Sequence, residues 1–417
     1  MATSPPLETT QHERRDLISE LPIEIKHRIL ECLPTREAAR MAILSTLWKN
    51  VWLQHGRLVF DKAFFRSIQN YIAENSTSAL NIIYNILLLR RGPVKKFTLK
   101  IYLEPKLQQS DIEWGCRFLS RNGIEELTLL VLGSTFKLPA CIFSCPTIKQ
   151  LRLCCLVVDF PANARCIFPG VTSLVLNTVE LNGVSATIPN LEKLAFLGGC
   201  EGMDKFEIIA PKLESLSHIS AYSGFEPRWF ALQLTRIKSL GLSGGSLGRG
   251  DVAAAVLNSS TAAINLQVME LHDLSFSCEQ QIATAMTLLQ KSPNLCELGI
   301  GAAMAWAQYE EDTFNHLEDR DYYFINQDMK MLRTVKIEGF NGSKLEVLFL
   351  KSVLSKCPAL ERVVIHPAGS IISHALMRMD ILRELMSFPR ASPNALLVFL
   401  KYMVTYNLVG CNVEDDY

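Results

Sequence analysis

Apolar side chains recur at every fourth position near the start of the chain, at Ile25, Ile29 and Leu33. This period is typical of one face of an α-helix. Pro22 fits the first helical turn, where a missing N–H costs no hydrogen bond, and Pro34 stops the helix. The spacing therefore predicts a short helix between these two prolines.

Two more helices are predicted directly after it. Thr35 is a residue type that caps a helix, and Glu37 lies near the positive end of the helix dipole. Ser45 is placed to cap a third helix, which brings Trp48 and Trp52 onto one face because they are four residues apart. Three helices within residues 14–60 bury little surface, since even domains of about 60 residues are marginally stable alone. The module is therefore expected to leave an apolar face for a partner.

A second pattern begins after Gly92 and Pro93, which end a mostly helical stretch, 61–91. It is an L-x-x-L-x-L triad in which other aliphatic residues are allowed. From Leu127 onward the central members are 20 to 29 residues apart, except for one interval of 37, and this is the period of leucine-rich repeats. The triads are Val94/Phe97/Leu99, Ile124/Leu127/Leu129, Ile148/Leu151/Leu153, Val171/Leu174/Leu176, Leu191/Leu194/Phe196, Leu213/Leu216/His218, Ile237/Leu240/Leu242, Leu266/Met269/Leu271, Leu295/Leu298/Ile300, Leu332/Val335/Ile337 and Leu360/Val363/Ile365.

Each triad predicts one short strand with two alternating side chains pointing inward and a leading aliphatic that covers the turn before it. One such unit buries little alone, whereas stacked units share a core and align their strands in a parallel sheet. The predicted fold class is therefore an α/β repeat: a three-helix module followed by a leucine-rich-repeat solenoid with a curved parallel sheet. His218 stands at an inward position, and we expect a hydrogen-bonded core histidine or a residue at a repeat edge.

The long interval contains an acidic and aromatic segment near residues 301–330, which is interpreted as an insertion on the repeat edge. Its aromatic cluster is either a recognition surface or a set of packing residues, and the sequence leaves both open. The cluster comprises Tyr309, Tyr322, Tyr323 and Phe324.

The first stretch also resembles a known family. From Asp16 to Trp52 it reads D-x-I-S-x-L-P-x-x-I-x-x-x-I-L-x-x-L-P-T-x-E-A-A-R-x-x-x-L-S-x-x-W-x-x-x-W, which is similar to the F-box of plant F-box proteins. The resemblance implies binding to a Skp-type adaptor of a cullin-RING ubiquitin ligase. Thr46 and Leu47 depart from the family, whose members usually carry a basic pair there. The positions that match the adaptor-binding signature are Leu21, Pro22, Ile25, Ile29, Leu33, Leu44 and Trp48.

The end of the chain resembles the FBD domain that follows F-box and repeat regions in plant proteins. The similarity lies in KIEGFNGSKLEVLFLKSVLSKCPALERVVI, 336–365, and in Glu384–Pro393 followed by ALLVFL. The first segment predicts a strand, a turn at Asn341-Gly342, a helix and another strand. The apolar stripe predicted for that helix is Leu345, Leu348, Phe349, Val353 and Leu354.

The predicted domain organisation follows from these segments. It comprises a disordered tail, 1–13; an F-box, 14–60; a helical linker, 61–93; leucine-rich repeats, 94–330, with the insertion near 301–330; and an FBD-like terminal repeat or cap, 331–417.

Composition narrows the functional classes. The 42 basic and 42 acidic residues cancel, so no overall field favours nucleic acid or an anionic membrane, although residues 14–60 carry a small positive excess. Hydrophobic residues make up 48% of the chain, but the longest apolar run, 79–89, is too short to span a bilayer. The twelve cysteines lack the spacing of a disulfide framework, and no secretory signal is apparent. A reducing compartment, cytoplasmic or nuclear, is expected.

Motifs for chemistry are few. Gly241–Gly245 matches G-x-S-x-G, but the next helix is expected to begin only at Asp251, and a nucleophile elbow turns directly into a helix. Ser243 is therefore interpreted as part of a loop. Neither a phosphate-binding loop nor zinc spacing is found, so no cofactor or metal is expected. The cysteines in and beside the early repeats are expected to be buried: Cys141, Cys145, Cys154 and Cys155.

Together these observations predict a non-enzymatic substrate-recognition adaptor of an SCF-type (Skp–cullin–F-box) ubiquitin ligase, with the repeats holding an unknown target protein. One alternative is a repeat scaffold whose F-box serves complexes unrelated to degradation. A more remote alternative is a serine hydrolase at Ser243.

Overall fold

A computed structural model of the chain describes residues 18–400, apart from residues 19, 76–77, 103–106, 134–135, 162–165, 184, 204–206, 221–226, 250–251, 253–254, 257–262, 304–324, 326 and 370–374. The chain divides into two compact units, Met1–Gly133 and Ser134–Tyr417. The predicted tail, the cap expected at Asp251 and the aromatic cluster of the insertion lie outside the described residues. The predicted domain boundaries remain predictions.

The first unit contains the three predicted helices and then alternates helices with parallel strands. Strand β1 pairs with β2, and β2 pairs with β3, each in parallel. Two helices lie within 61–91, as predicted for that stretch. The elements are α1 Ile23–Cys32, α2 Thr35–Met41, α3 Thr46–Gln54, β1 Arg57–Phe60, α4 Lys62–Asn75, α5 Ala79–Leu88, β2 Lys96–Tyr102, α6 Gln109–Arg121 and β3 Glu126–Leu132.

Proline sets two of the helix boundaries. α1 ends before Leu33, whose backbone is extended (ψ 146°), because the ring of Pro34 disfavours the helical conformation in the residue before it. Pro22 lies at the N-cap of α1 rather than inside its first turn. The cap predicted for Ser45 is confirmed, since its hydroxyl accepts a hydrogen bond from the amide of Trp48 at 3.3 Å.

The cap predicted for Thr35 is wrong. Pro34 occupies the N-cap position of α2, and Thr35 is the first helical residue. Its buried hydroxyl accepts a hydrogen bond at 2.8 Å from the amide of Val59, in β1. Strand β1 follows the three helices, and its pairing partner is more than thirty residues further along the chain. The tertiary contact with β1 therefore takes the hydroxyl away from the helix end.

The second unit is built on ten parallel strands in the order β4-β6-β9-β11-β12-β13-β14-β15-β16-β17, with two small parallel pairs beside it, β5–β7 and β8–β10. Its elements are α7 Ala140–Phe143, β4 Gln150–Cys154, β5 Val157–Asp159, β6 Ser173–Asn177, β7 Glu180–Asn182, β8 Ser185–Thr187, β9 Lys193–Leu197, β10 Glu207–Ile209, β11 Ser215–Ile219, α8 Pro227–Leu234, β12 Ser239–Ser243, α9 Gly244–Leu247, β13 Val268–Leu274, α10 Glu279–Gln290, β14 Glu297–Ala302, β15 Thr334–Phe340, α11 Lys344–Lys356, β16 Arg362–Pro367, α12 Ala375–Ser387 and β17 Leu396–Phe399.

The predicted triads form the core of these repeats. In β12, Leu240 and Leu242 point inward and are fully buried, and the leading Ile237 is equally buried before the strand. The register places Leu240 between Leu216 of β11 and Met269 of β13, so equivalent side chains stack from repeat to repeat. A parallel sheet with a continuous aliphatic core follows, and the leucine-rich-repeat fold class is confirmed.

The interior histidine is also confirmed. His218 is fully buried in β11, and its Nδ1 lies 2.7 Å from the hydroxyl of Ser246 in α9. The hydrogen bond satisfies a polar ring that would otherwise be costly to bury.

The two strands and the helix predicted at 336–365 are confirmed, with α11 between β15 and β16. Asn341 and Gly342 lie in the connection between β15 and α11, where Gly342 has a φ of 70°. One member of the predicted stripe is wrong, because Leu348 is half-exposed whereas Val347 and Leu350 are buried.

Among the cysteines, Cys145 and Cys154 are buried as expected. Cys141 and Cys155 are not, being only partly covered.

We expect Leu240→Ala to lower the free energy of unfolding by about 2 to 5 kcal/mol, because it leaves a cavity in the packed core. The matched control is Leu232→Ala, at a leucine of α8 that is 57% exposed, for which a change within about 0.5 kcal/mol is expected. Urea unfolding followed by circular dichroism measures both. Equal effects of the two substitutions would contradict the stacked core.

Candidate functional site

Residues 18–60 form the amino-terminal module. The residues of α1 that line its interior are not those of the predicted apolar stripe but residues that lie between them in the sequence. Lys26 and Leu30 are the buried residues of α1, four positions apart on one face. The Lys26 ammonium lies 6.0 Å from the centre of the Trp48 ring, within the range of a cation–π contact. The predicted stripe is turned away from this interior: Ile25 is exposed, and Ile29 and Leu33 are half-buried.

Helix α3 supplies the large side chains of this interior. Trp48 and Trp52 are both buried on one face, as their spacing predicts. The Arg90 guanidinium, beyond the end of α5, lies 4.1 Å from the centre of the Trp52 ring, and its Nη1 donates to the Trp52 carbonyl at 2.5 Å. Burial lowers the pKa of Arg90 to about 10. The cation of Arg90, just after α5, thus completes the core of the module.

His55, the residue after α3, is buried in the same place. Its ring stacks on Trp52 with centroids 6.1 Å apart. Burial, followed by the positive charges of Arg90, His27 and Arg57, lowers the pKa of His55 to about 4. The imidazole is therefore neutral at physiological pH.

The surface of the module is unusually apolar. Six of the eighteen large apolar side chains that are exposed among the described residues lie within 18–60, although this segment holds only about an eighth of the described residues. Ile43 and Leu44, in the turn between α2 and α3, are 82% and 63% exposed. A concentration of exposed apolar groups is a common feature of interaction sites, so these residues are a candidate for one. The exposed apolar surface is defined by Ile18, Ile23, Ile25, Ile43, Leu44 and Leu47.

The predicted adaptor-binding residues fall into three groups. Pro22, Ile25 and Leu44 are exposed. Leu21, Ile29 and Leu33 are half-buried. Trp48 is fully buried, so it supports the module from inside and presents no surface.

Four members of the exposed apolar surface were not predicted: Ile18, Ile23, Ile43 and Leu47. Ile23, Ile43 and Leu47 occupy positions of variable identity in the family pattern, whereas Ile18 is a fixed position of the pattern but is not one of those assigned to adaptor binding. Only the fold shows that these four side chains are exposed. A sequence signal does exist for Ile43 and Leu47, because they flank the capping residue Ser45, where polar residues are the usual choice.

Ser243 is part of a structural network. The expectation that no helix follows it at once is wrong: β12 ends at Ser243, which is the N-cap of α9. Its hydroxyl donates to the Ser220 carbonyl at 3.0 Å and accepts from the amide of Ser246 at 3.2 Å. Its φ of −88° is ordinary, and the side chain is buried together with His218 and Ser246. This network ties α9 to the neighbouring repeat and offers no reacting group to solvent.

The described part of the chain holds no group of three or more His, Cys, Asp or Glu side chains able to bind a metal ion. Among the described helices, none has the length and apolar content needed to cross a bilayer.

Residues 18–60 match the F-box domain family, which defines the chain as an F-box protein. Three Arabidopsis thaliana proteins extend the similarity. An F-box/FBD/LRR-repeat protein is 31% identical over 93% of this chain and 99% of its own length. One F-box/LRR-repeat protein is 24% identical over 91% of this chain and 96% of its own length. A second F-box/LRR-repeat protein is 35% identical over 40% of this chain and 39% of its own length. The chain belongs to the plant F-box/FBD/LRR-repeat family.

We expect acid to destabilise the module through His55. Because its folded pKa lies below the unfolded value, the unfolded chain takes up a proton first as the pH falls. The free energy of unfolding should therefore drop by about 1 to 2 kcal/mol between pH 7 and pH 5. Urea titrations at both pH values measure it. In the control variant His55→Gln, this drop in the free energy of unfolding between pH 7 and pH 5 should disappear. If the variant keeps the same pH dependence, His55 is not the group responsible for the drop.

We expect Ser243→Ala to lower the free energy of unfolding by about 1 to 3 kcal/mol, because it leaves buried partners of the hydroxyl without their hydrogen bonds. Ser239→Ala, on the same strand but at a half-exposed side chain, is the matched control and should change stability by less than about 0.5 kcal/mol. Thermal or urea unfolding distinguishes them. A neutral Ser243→Ala would show that the network has no structural role.

Proposed function

We propose that the chain is the substrate-recognition adaptor of an SCF-type ubiquitin ligase. In this proposal the F-box binds a Skp-type adaptor, which connects the chain to a cullin-RING ligase, and the repeats bind a target protein. The observation that carries the proposal is the exposed apolar surface of residues 18–60. The module completes its interior with Arg90 and still exposes six large apolar side chains.

The exposed apolar surface is the proposed contact with the Skp-type adaptor. Ile25 and Leu44 are its members that also match the family signature. Pro22, another signature position, is exposed three residues before Ile25 and is proposed to contact the adaptor as well. The half-buried Leu21, Ile29 and Leu33 are proposed to contact the adaptor at the edges. Leu47 stands where relatives carry a basic residue, so at this position an apolar contact replaces a polar one.

Trp48 has an indirect part in this proposal. It is fully buried between α1 and α3, where Lys26 contacts its ring. Its removal would disturb the positions of both helices. Trp48 is therefore a positioning residue for the exposed surface rather than a contact residue.

The repeats serve recognition, and the chain has no part in the chemistry of ubiquitin transfer. A target held on the repeats while the F-box is docked is kept near an activated ubiquitin thioester carried by another subunit. Holding two reactants together raises their effective concentration, which accelerates transfer without a catalytic group in this chain. Action in the cytoplasm or nucleus follows from this role.

The direct test is binding of a purified Skp-type adaptor to the full-length chain. We expect Leu44→Asp to weaken binding at least tenfold, since a buried charge at the centre of an apolar contact costs more than about 1.4 kcal/mol. The matched control is Leu88→Asp in α5, because Leu88 is also 63% exposed but lies outside the F-box. Isothermal titration calorimetry measures both affinities.

Both leucines project into solvent, so circular dichroism should show that each variant keeps the fold. Equal adaptor affinity of the Leu44→Asp and Leu88→Asp variants would refute the proposed contact. Failure of the unmodified chain to bind any Skp-type adaptor would refute the function itself.

A further inference from the structure

The solvent-facing side of the sheet in the second unit has a gap between β13 and β15. On the strand between them, β14, the outward positions after Glu297 are Gly299 and Gly301, while Leu298 and Ile300 point into the core. The register pairs Gly299 with Glu270 on one side and Lys336 on the other, and Gly301 with Glu338. The side chains of β13 and β15 therefore rise from strands about 10 Å apart, twice the usual spacing, with no side chain between them.

These two glycines are not required by the backbone. A Cβ added to Gly299 would meet its nearest neighbour at 3.6 Å, and one added to Gly301 at 3.7 Å, both ordinary contacts, and neither residue has a positive φ. Gly244, by contrast, approaches the Asp273 carbonyl so closely that a Cβ would lie 2.2 Å from its oxygen. Glycine inside a strand costs stability and often marks a β-bulge or the close approach of a ligand or another backbone. The register of β13 against β14 shifts between Leu271 and Leu274, beside Gly301, but it is regular at Gly299. The fold tolerates a side chain at 299 and 301, so the open space itself needs a reason.

The walls of this glycine gap are charged and half-buried. Glu270 and His272 stand on the β13 side, and Lys336 and Glu338 pair with each other on the β15 side. Glu270 is 26% exposed, and no ammonium or guanidinium group among the described residues lies within ion-pair distance of it. Glu297 adds another carboxylate at the end of the gap. Among the described residues, the carboxylates of Glu270, Glu338 and Glu297 thus lie along the gap, and Lys336 is already paired with Glu338.

The polar groups of the β13 side are incompletely satisfied. Burial raises the pKa of Glu270; the Lys336 charge opposes this rise, and Glu338 and Glu297 reinforce it. The Nε2 of His272 is buried without a hydrogen-bond partner among the described residues, and it lies 3.9 Å from the nearer Glu270 oxygen. That distance is too long for a hydrogen bond. A buried polar group left in this state needs an explanation, and a ligand that binds beside it is one.

The arrangement favours an organic cation. A metal ion would need three or more ligands converging on one point, and the described residues contain no such group. A guanidinium is planar and has five donors arranged in a fork, so it can lie over the flat glycine floor and donate to carboxylates on both sides. An ammonium is compact and more strongly hydrated, and it is less suited to bridging two walls.

We propose that the glycine gap, formed by Gly299 and Gly301 between Glu270 and Glu338, binds the guanidinium of an arginine side chain of a target protein. The inference rests on the proposed function only in taking the ligand from a target protein. Charge complementarity identifies the side chain: Glu270 is the main acceptor, Glu338 and Glu297 are the further acceptors, and the glycines provide the space.

The test is a ligand-observed NMR titration of the full-length chain with N-acetyl-L-arginine methylamide. Saturable binding with a Kd on the order of 1 mM is expected for so small a ligand. The citrulline analogue, which keeps the shape without the charge, should bind at least tenfold more weakly. Glu270→Gln should weaken arginine binding at least fivefold. Glu214→Gln is the matched control, at an exposed carboxylate of the second unit that pairs with Lys238, and should leave binding unchanged.

Gly299→Val separates a role in binding from a role in folding. A β-branched residue suits a strand and fills the gap, so we expect the unfolding midpoint in urea to stay the same or rise while arginine binding is lost. Arginine binding that survives Gly299→Val or Glu270→Gln, or that citrulline matches, overturns the proposal. A fall in stability without a change in affinity also overturns it, because the glycine would then be structural.

The outcome is independent of the ligase assignment. Leu44→Asp should leave arginine binding intact, because it changes only the F-box. Loss of adaptor binding with arginine binding kept, or the reverse, therefore shows which of the two proposals fails.

Discussion

The fold depends on the fact that no repeat can bury its own apolar side chains. Each strand supplies two inward aliphatics and one leading aliphatic, and these are covered only when the neighbouring strand stacks in register. Leu240 is buried because Leu216 and Met269 stand opposite it. Nearest-neighbour packing of this kind leaves the outward side chains free to vary, since they contribute little to the core. The repeat region thus separates stability, which lies on one side of the sheet, from recognition, which can occupy the other.

The F-box module shows a related dependence in the first unit. Its helices are too short to form a core by themselves, and the chain supplies the remainder from β1 and from Arg90. Thr35 bonds to Val59, and Arg90 covers Trp52. The interior is thereby completed within the chain, but the additions cover only the side that carries the tryptophans. The apolar residues at the start of α1 and around Ser45 remain on the surface. The proposed partner would therefore cover an apolar surface of a module that is already folded, rather than complete its core.

Regular features of this structure could be predicted from the sequence, because their causes are local. The triads gave the strands, and Ser45 gave a helix cap. The failures occurred where a distant segment decides the outcome. Thr35 was predicted as a cap because its partner, Val59, lies in a strand that local patterns did not reveal. The helix after Ser243 was missed because Gly244 and Gly245 are poor helix formers, and contacts with neighbouring repeats override that preference.

The candidate sites were the least predictable part, for the same physical reason. Gly299 and Lys336 are 37 residues apart in the chain, and only the register of β14 and β15 makes them neighbours. A glycine in a strand and a leucine in the turn between two helices each contradict local preference. The fold neither fills the space beside Gly299 nor buries Leu44. In natural sequences the local preference of a residue usually agrees with the fold around it, and the exceptions are concentrated at functional positions. Gly299 and Leu44 are exceptions of this type: the backbone could accept a larger residue at one, and solvent would favour a polar residue at the other. Leu88 is as exposed as Leu44, so exposure of one leucine carries no argument by itself. Leu44 supports the proposed contact because five other large apolar side chains are exposed within residues 18–60, and Gly299 supports the proposed arginine site because charged side chains line both sides of the space it leaves.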